Sequence, residues 1–159
     1  MIFQTAKNRC FLLLSSLVIM ASCKQIDVFE KNTAIPKSNW QRNYSATGTF
    51  QVTDTSTAYN IYIVIRHTDA YKYNNIWLQV GLQSPGDSIK FQNINLTLAS
   101  DAGGWEGSGM NDIWEVRKLV SRRPMEKGEY RFVINHIMRD EPLPGIMNVG
   151  MRINKAVIN

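Results

Sequence analysis

Ile76-Trp77-Leu78-Gln79-Val80-Gly81-Leu82-Gln83 decides the fold class. Ile76, Leu78, Val80 and Leu82 take alternate positions, with Trp77, Gln79, Gly81 and Gln83 between them. Successive side chains of a strand point to opposite faces, so this octet is a strand with one face in a core. Ser84-Pro85-Gly86-Asp87 then ends it, because Pro fixes φ and Gly accepts the turn geometry.

The same period of two extends outward in both directions. Upstream, Tyr59, Ile61, Ile63 and Ile65 alternate with Asn60, Tyr62, Val64 and Arg66, and Thr49–Thr53 alternates around Phe50 and Val52. Downstream, Ile89 and Phe91 share one face, whereas Ile94, Leu96 and Leu98 share the other. That change of phase predicts a bulge near Gln92-Asn93. Asp112–Val120 and Glu129–Met138 alternate again, the second through Tyr130, Phe132, Ile134 and His136; Val149, Met151 and Ile153 make the last clear strand. About seven strands with turn signals between them and no helical periodicity predict an all-β, antiparallel β-sandwich. Strand number and length favour jelly-roll wiring.

The N-terminus settles a different question. Lys7 and Arg9 precede an apolar run, Phe11–Met20, of ten residues, half of the roughly 20 a bilayer crossing takes. Small residues Ala21 and Ser22 follow, and then Cys23. A positive start, a short apolar centre and small residues make a secretory signal. The cysteine directly after them marks a bacterial lipobox, with Met20 where Leu is usual. The expected domains are a lipoprotein signal peptide at 1–22, a lipidated tether at 23–46 and a β-sandwich at 47–159. Within the tether, Val28-Phe29 and Trp40 are expected to dock on the domain. Acylation of Cys23 would be the membrane contact, and several acyl chains suffice for stable anchoring. Lys24 after the cysteine, where an Asp would favour inner-membrane retention, points to the outer membrane. With no acidic run following, the expected side is the periplasmic face.

Removing residues 1–22 from the 159 leaves 137 residues, enough for one domain with a core. Lys7 and Arg9 go with the signal, so the net charge of +5 falls to +3, too mild for a nucleic-acid partner. The two cysteines are Cys10 and Cys23, so the mature fold has neither a disulfide nor a thiol nucleophile. The two histidines, His67 and His136, do not stand at metal-ligand spacing, and no cofactor or metal is expected. His67 with Asp69 suggests a hydrolase dyad, but no nucleophile motif accompanies it, and the chain reads as a non-enzyme.

The candidate binding surface is aromatic and amide-rich: Tyr71, Tyr73, Asn74, Asn75 and Trp77, joined by Trp105 from the glycine-rich loop 101–109. Such side chains serve protein interfaces and sugar faces alike. Trp105 is expected to plug the sandwich end rather than to offer an open platform. Arg117, Lys118, Arg122, Arg123, Lys127 and Arg131 read as a solvated face, with an acidic partner or phospholipid head groups as the alternative.

Five motifs in order carry a resemblance. They are Asp27-Val28-Phe29-Glu30-Lys31 with Ile35-Pro36; Arg66-His67-Thr68-Asp69-Ala70-Tyr71 with Tyr73–Trp77; Gly107–Ile113; Ile137-Met138-Arg139-Asp140-Glu141-Pro142-Leu143; and Asn148–Ile153. The chain resembles the GldH-type gliding-motility lipoproteins of Bacteroidetes. The resemblance implies an outer-membrane lipoprotein needed for gliding and connected with type IX secretion, with other gliding or secretion lipoproteins or envelope proteins as partners. It implies no reaction, and it leaves Arg66, His67, Asp69 and Arg139 as motif residues without an assigned role. A carbohydrate-binding module for glycan or peptidoglycan on the same tether is the alternative.

Overall fold

The computed structural model describes residues 28–100 and 102–156. Cys23 and the signal therefore lie outside the described residues. The strands in chain order are β1 (Val28–Ala34), β2 (Asn39–Trp40), β3 (Ala46–Val52), β4 (Ala58–Thr68), β5 (Asn75–Gln83), β6 (Lys90–Thr97), β7 (Ser108–Met110), β8 (Ile113–Pro124), β9 (Gly128–His136), β10 (Leu143–Pro144) and β11 (Ile146–Lys155). One sheet runs β1-β11-β4-β8-β7 and the other β3-β9-β5-β6, with β2 and β10 paired by themselves. All the pairs are antiparallel.

This order is a single long hairpin rolled up. β5 pairs β6 at its tip, then β4 pairs β8, β3 pairs β9, and β1 pairs β11 at its open end. β2·β10 bridges the corner where the hairpin passes from one sheet to the other. Rolling adds the contacts β11·β4 and β9·β5. Two sheets wired this way are a jelly roll, the arrangement expected from strand number and length. The alternation read in the sequence fills the space between them. Ile61, Ile63 and Ile65 of β4, with Val149, Met151 and Ile153 of β11, face Ile76, Leu78, Val80, Phe132 and Ile134, all of them buried. Burying each such side chain is worth about 1.5–3 kcal/mol.

Two expectations need correcting. The tether does not extend to residue 46: from Val28 the chain is already strand β1, registered on β11 from Val28↔Asn154 to Ala34↔Asn148. Alternation did not reveal β1 because Phe29, Lys31 and Thr33 share its inward parity and only Phe29 is apolar. Phe29 closes the sandwich flank, with its ring 5.3 Å from Phe50 and 6.4 Å from Phe132. The bulge near Gln92-Asn93 is absent, since β6 keeps an unbroken register on β5 from Lys90 to Thr97. Phe91 instead points outward and lies over Gly81, where a Cβ would come 2.6 Å from its ring. The register shifts fall elsewhere, at Val120 in β8 opposite Ile61/Tyr62 and at Met147 in β11.

Candidate functional site

The aromatic residues gather at the end of the sandwich where β4 stops and β5 starts, but they do not form one surface. Tyr71 is buried, and its hydroxyl donates to Asn75 O at 2.8 Å. His67 is fully buried, with Nδ1 3.1 Å from Thr68 O. Trp105 stands 4.5 Å from the His67 ring and 6.4 Å from the Tyr71 ring, half-buried against the core. This is the plug expected of it: Trp105 and Tyr71 close the sandwich end and leave little of themselves to a partner. A Cβ at Gly145 would sit 2.7 Å from Tyr71 N, so the same layer is packed from below by backbone.

What remains open lies beside the plug. Trp77, 43% exposed, projects from the outer face of β5, and Ile137 is 39% exposed. With Tyr73, Met138 and Arg139 they line a recess of about 330 Å³. Its floor is held firmly. Ile137 N donates to Trp77 O at 3.0 Å, and Trp77 N donates to Met138 Sδ at 3.2 Å. Arg42 Nη2 donates to Met138 O at 3.1 Å, while the Arg42 N–H is shared by both carboxylate oxygens of Glu141 at 3.1 Å. On one wall the Tyr73 hydroxyl donates to the Asp140 carboxylate, which raises the phenol pKa. The recess thus offers an exposed indole, an isoleucine and a guanidinium on a fixed frame. Asn75 Nδ2 donates to Asn95 Oδ1 at 2.8 Å beside it, and Asn95 stands opposite Trp77 in the register. Asn74 is tied by its carbonyl, which accepts from the N–H groups of Leu98 and Ala99.

The motif residues separate. Arg139 belongs to the recess. Arg66 lies on the outer face of the other sheet, where it pairs with Glu115 at 2.6 Å in a ladder continuing through Arg117, Glu30 and Arg152. Asp69 accepts from Trp114 Nε1 at 2.8 Å and makes no hydrogen bond to His67, so the two do not form a dyad. Burial holds the His67 pKa below its ordinary value, keeping the ring neutral. Among the described residues no group of three or more His, Cys, Asp or Glu stands close enough to hold a metal ion. Sequence reasoning missed Ile137, which is exposed, and Met138, which is buried, as recess residues; the signal available was two consecutive apolar residues breaking the alternation at the end of a strand.

The sequence profile of the GldH lipoproteins matches residues 27–153. Gliding motility lipoprotein GldH of Flavobacterium johnsoniae is 28% identical over 156 residues, covering 94% of this chain and 97% of that one. A GldH homolog of Christiangramia forsetii is 23% identical over 155 residues, covering 92% and 94%. Among solved structures, the VP2 subviral particle of infectious bursal disease virus matches with a TM-score of 0.31 and 13% identity over 84% of this chain. It covers 34% of that chain, a likeness too loose to add to the strand order above.

Proposed function

The chain belongs to the GldH lipoprotein family, and we propose that it serves the gliding-motility and type IX secretion machinery as a non-catalytic protein-binding component on the outer membrane. The lipoprotein family places it at the cell envelope as an anchored protein. The anchor we propose is acylated Cys23, with the domain on the periplasmic face. The observation that carries the binding role is the recess of Tyr73, Trp77, Ile137, Met138 and Arg139. An exposed Trp beside an Arg is the pair most enriched where interfaces concentrate their energy. Envelope proteins of the same machinery are the partners this reading names.

The test is a crosslinking pull-down of the natively lipidated protein with a Trp77→Ala, Arg139→Ala variant. Both residues are solvent-facing, so the variant is expected to stay folded, with a stability change below about 1 kcal/mol. Loss of the envelope partners is expected; retention of every partner overturns the reading. The amides of Asn75 and Asn95 around Trp77 favour a second reading, in which the same indole stacks on glycan. Quenching or shift of Trp77 fluorescence by a glycan, with no protein recovered, would decide for it.

A further inference from the structure

The register of β1 fixes which way up the domain stands. Val28 opposes Asn154, Asn154 opposes Asn60, and Asn60 opposes Arg122. The chain therefore enters the fold at the end carrying the loops 53–57, 84–89 and 125–127. Four residues separate Cys23 from Val28, so five Cα-to-Cα steps give a reach of at most about 18 Å. β4, with 11 residues, runs from this entry end to the plugged end, a rise of about 35 Å. A tether this short holds the entry end within about 18 Å of a membrane that holds Cys23 and does not let the domain stand upright on its plugged end.

The entry end also has the chemistry of an interface. Between the sheets it opens a recess of about 170 Å³, floored by Ile61, Val80 and Met151, with Lys90, Phe91 and Arg123 at its lip. Phe91 is 52% exposed. Arg122, Arg123, Lys127 and Arg131 outnumber Glu126 and Glu129 there, while Lys90 is paired with Asp87 and Lys155 with Asp54. The loops of the opposite end are balanced instead, with Asp69, Asp112, Asp140 and Glu141 against Lys37, Arg42, Lys72 and Arg139, and Glu106 paired with Lys118. Cations, an exposed aromatic on the adjoining outer face and an apolar recess suit the phosphate and upper acyl layers of a phospholipid surface.

Resting on acylation at Cys23, we infer that the entry end, through Phe91, Lys90 and Arg123, lies on anionic phospholipid head groups, and that the Trp77–Arg139 recess is held clear of the membrane on the side of the domain, about 20 Å along β5 from the entry end. Because Cys23 is the only cysteine of the mature chain, one introduced thiol labels one place. The natively lipidated Ser88→Cys and Lys72→Cys proteins carry a fluorophore at the entry end and at the plugged end, respectively. Each is reconstituted in phosphatidylglycerol-containing vesicles with a head-group-labelled quencher lipid. Several-fold stronger quenching at position 88 than at 72 is expected. Equal or reversed quenching overturns the orientation, and acyl chains missing from Cys23 by mass spectrometry overturn its premise. Lys90→Gln, Arg123→Gln is expected to narrow the difference in anionic vesicles; a difference unchanged by that variant and by purely zwitterionic lipid overturns the head-group contact. None of these readouts depends on whether the recess binds protein, so the two proposals fail separately.

Discussion

At the scale of residues, the two histidines divide what the sequence made legible from what it did not. Their number and spacing excluded an evident metal site, but their burial was hidden, because a histidine on an alternating strand reads equally well as half-exposed. His136 is fully buried, its ring 5.1 Å from Trp40 and its Nε2 3.7 Å from the Glu141 carboxylate. Burial lowers its pKa, more than the Glu141 charge raises it, and Arg42 adds to the lowering. His67 is lowered for the same first reason. An unfolded chain binds these protons near pH 6.5, the ordinary histidine value of about 6.5, and the folded chain only at lower pH. The stability they contribute is thus complete above that pH and declines as pH falls through the window below it. Glu30, Asp54 and Asp87, whose pKa values are lowered by their partners, add a loss only below about pH 4.5. The melting temperature is expected to fall between pH 7.5 and 5.0, and His67→Gln with His136→Gln to flatten that slope; a slope unchanged in the double variant would sink the assignment. The candidate surface was half legible for a related reason. An aromatic residue in a turn does not announce its side: Trp77 and Tyr73 stayed open, whereas Tyr71 turned inward and Trp105 became the plug.

At the scale of elements, periodicity found the strands whose inward face is mostly apolar, β4, β5, β9 and β11, and failed where pairing rather than burial makes the strand. β1 is held by its ladder to β11 and by one ring, Phe29. That ladder passes over Gly150, where a Cβ would lie 2.2 Å from Lys31 O and 2.2 Å from Asn32 Oδ1. Glycine is needed there for the close approach of two backbones. Gly150→Ala is expected to push β1 away from β11 at a cost of about 2–3 kcal/mol, as crowding of a packed site usually does. Urea denaturation checks the loss, and hydrogen exchange should show it centred on residues 28–34 rather than spread through β4 and β8. Protection unchanged at 28–34 would show that β1 is not fastened there. The false bulge in β6 has the converse lesson. Phe91 broke the apolar phase because it covers Gly81 on the outer face, and pattern alone does not distinguish an outward aromatic from a shifted register.

At the scale of the whole molecule, the sandwich was legible from strand count and turn spacing; strand number and length favoured the jelly roll, but the strand order itself came only from the pairing. The nesting β1·β11 around β3·β9 and β4·β8 leaves its closing pair separated by most of the chain, from Val28 to Asn154. Folds dominated by such distant pairings form in roughly milliseconds to seconds, slower than helical domains of the same size. Refolding from urea is expected in that range, and a chain ending at residue 145 should show no cooperative unfolding transition, because β1 and β4 would both lose β11 between them. A sharp transition in the truncated chain would mean that the hairpin closes without its last strand. The position of β11 also sets an order of events in the cell. The strand that completes the first sheet is made after every other described strand, and in the proposed export it is the last of them to emerge. On that proposal the polypeptide would stay open until β11 has emerged, and acylation of Cys23, so close in sequence to β1, would precede the finished domain. In that order lipid would come first and architecture second, and the protein would close up already moored.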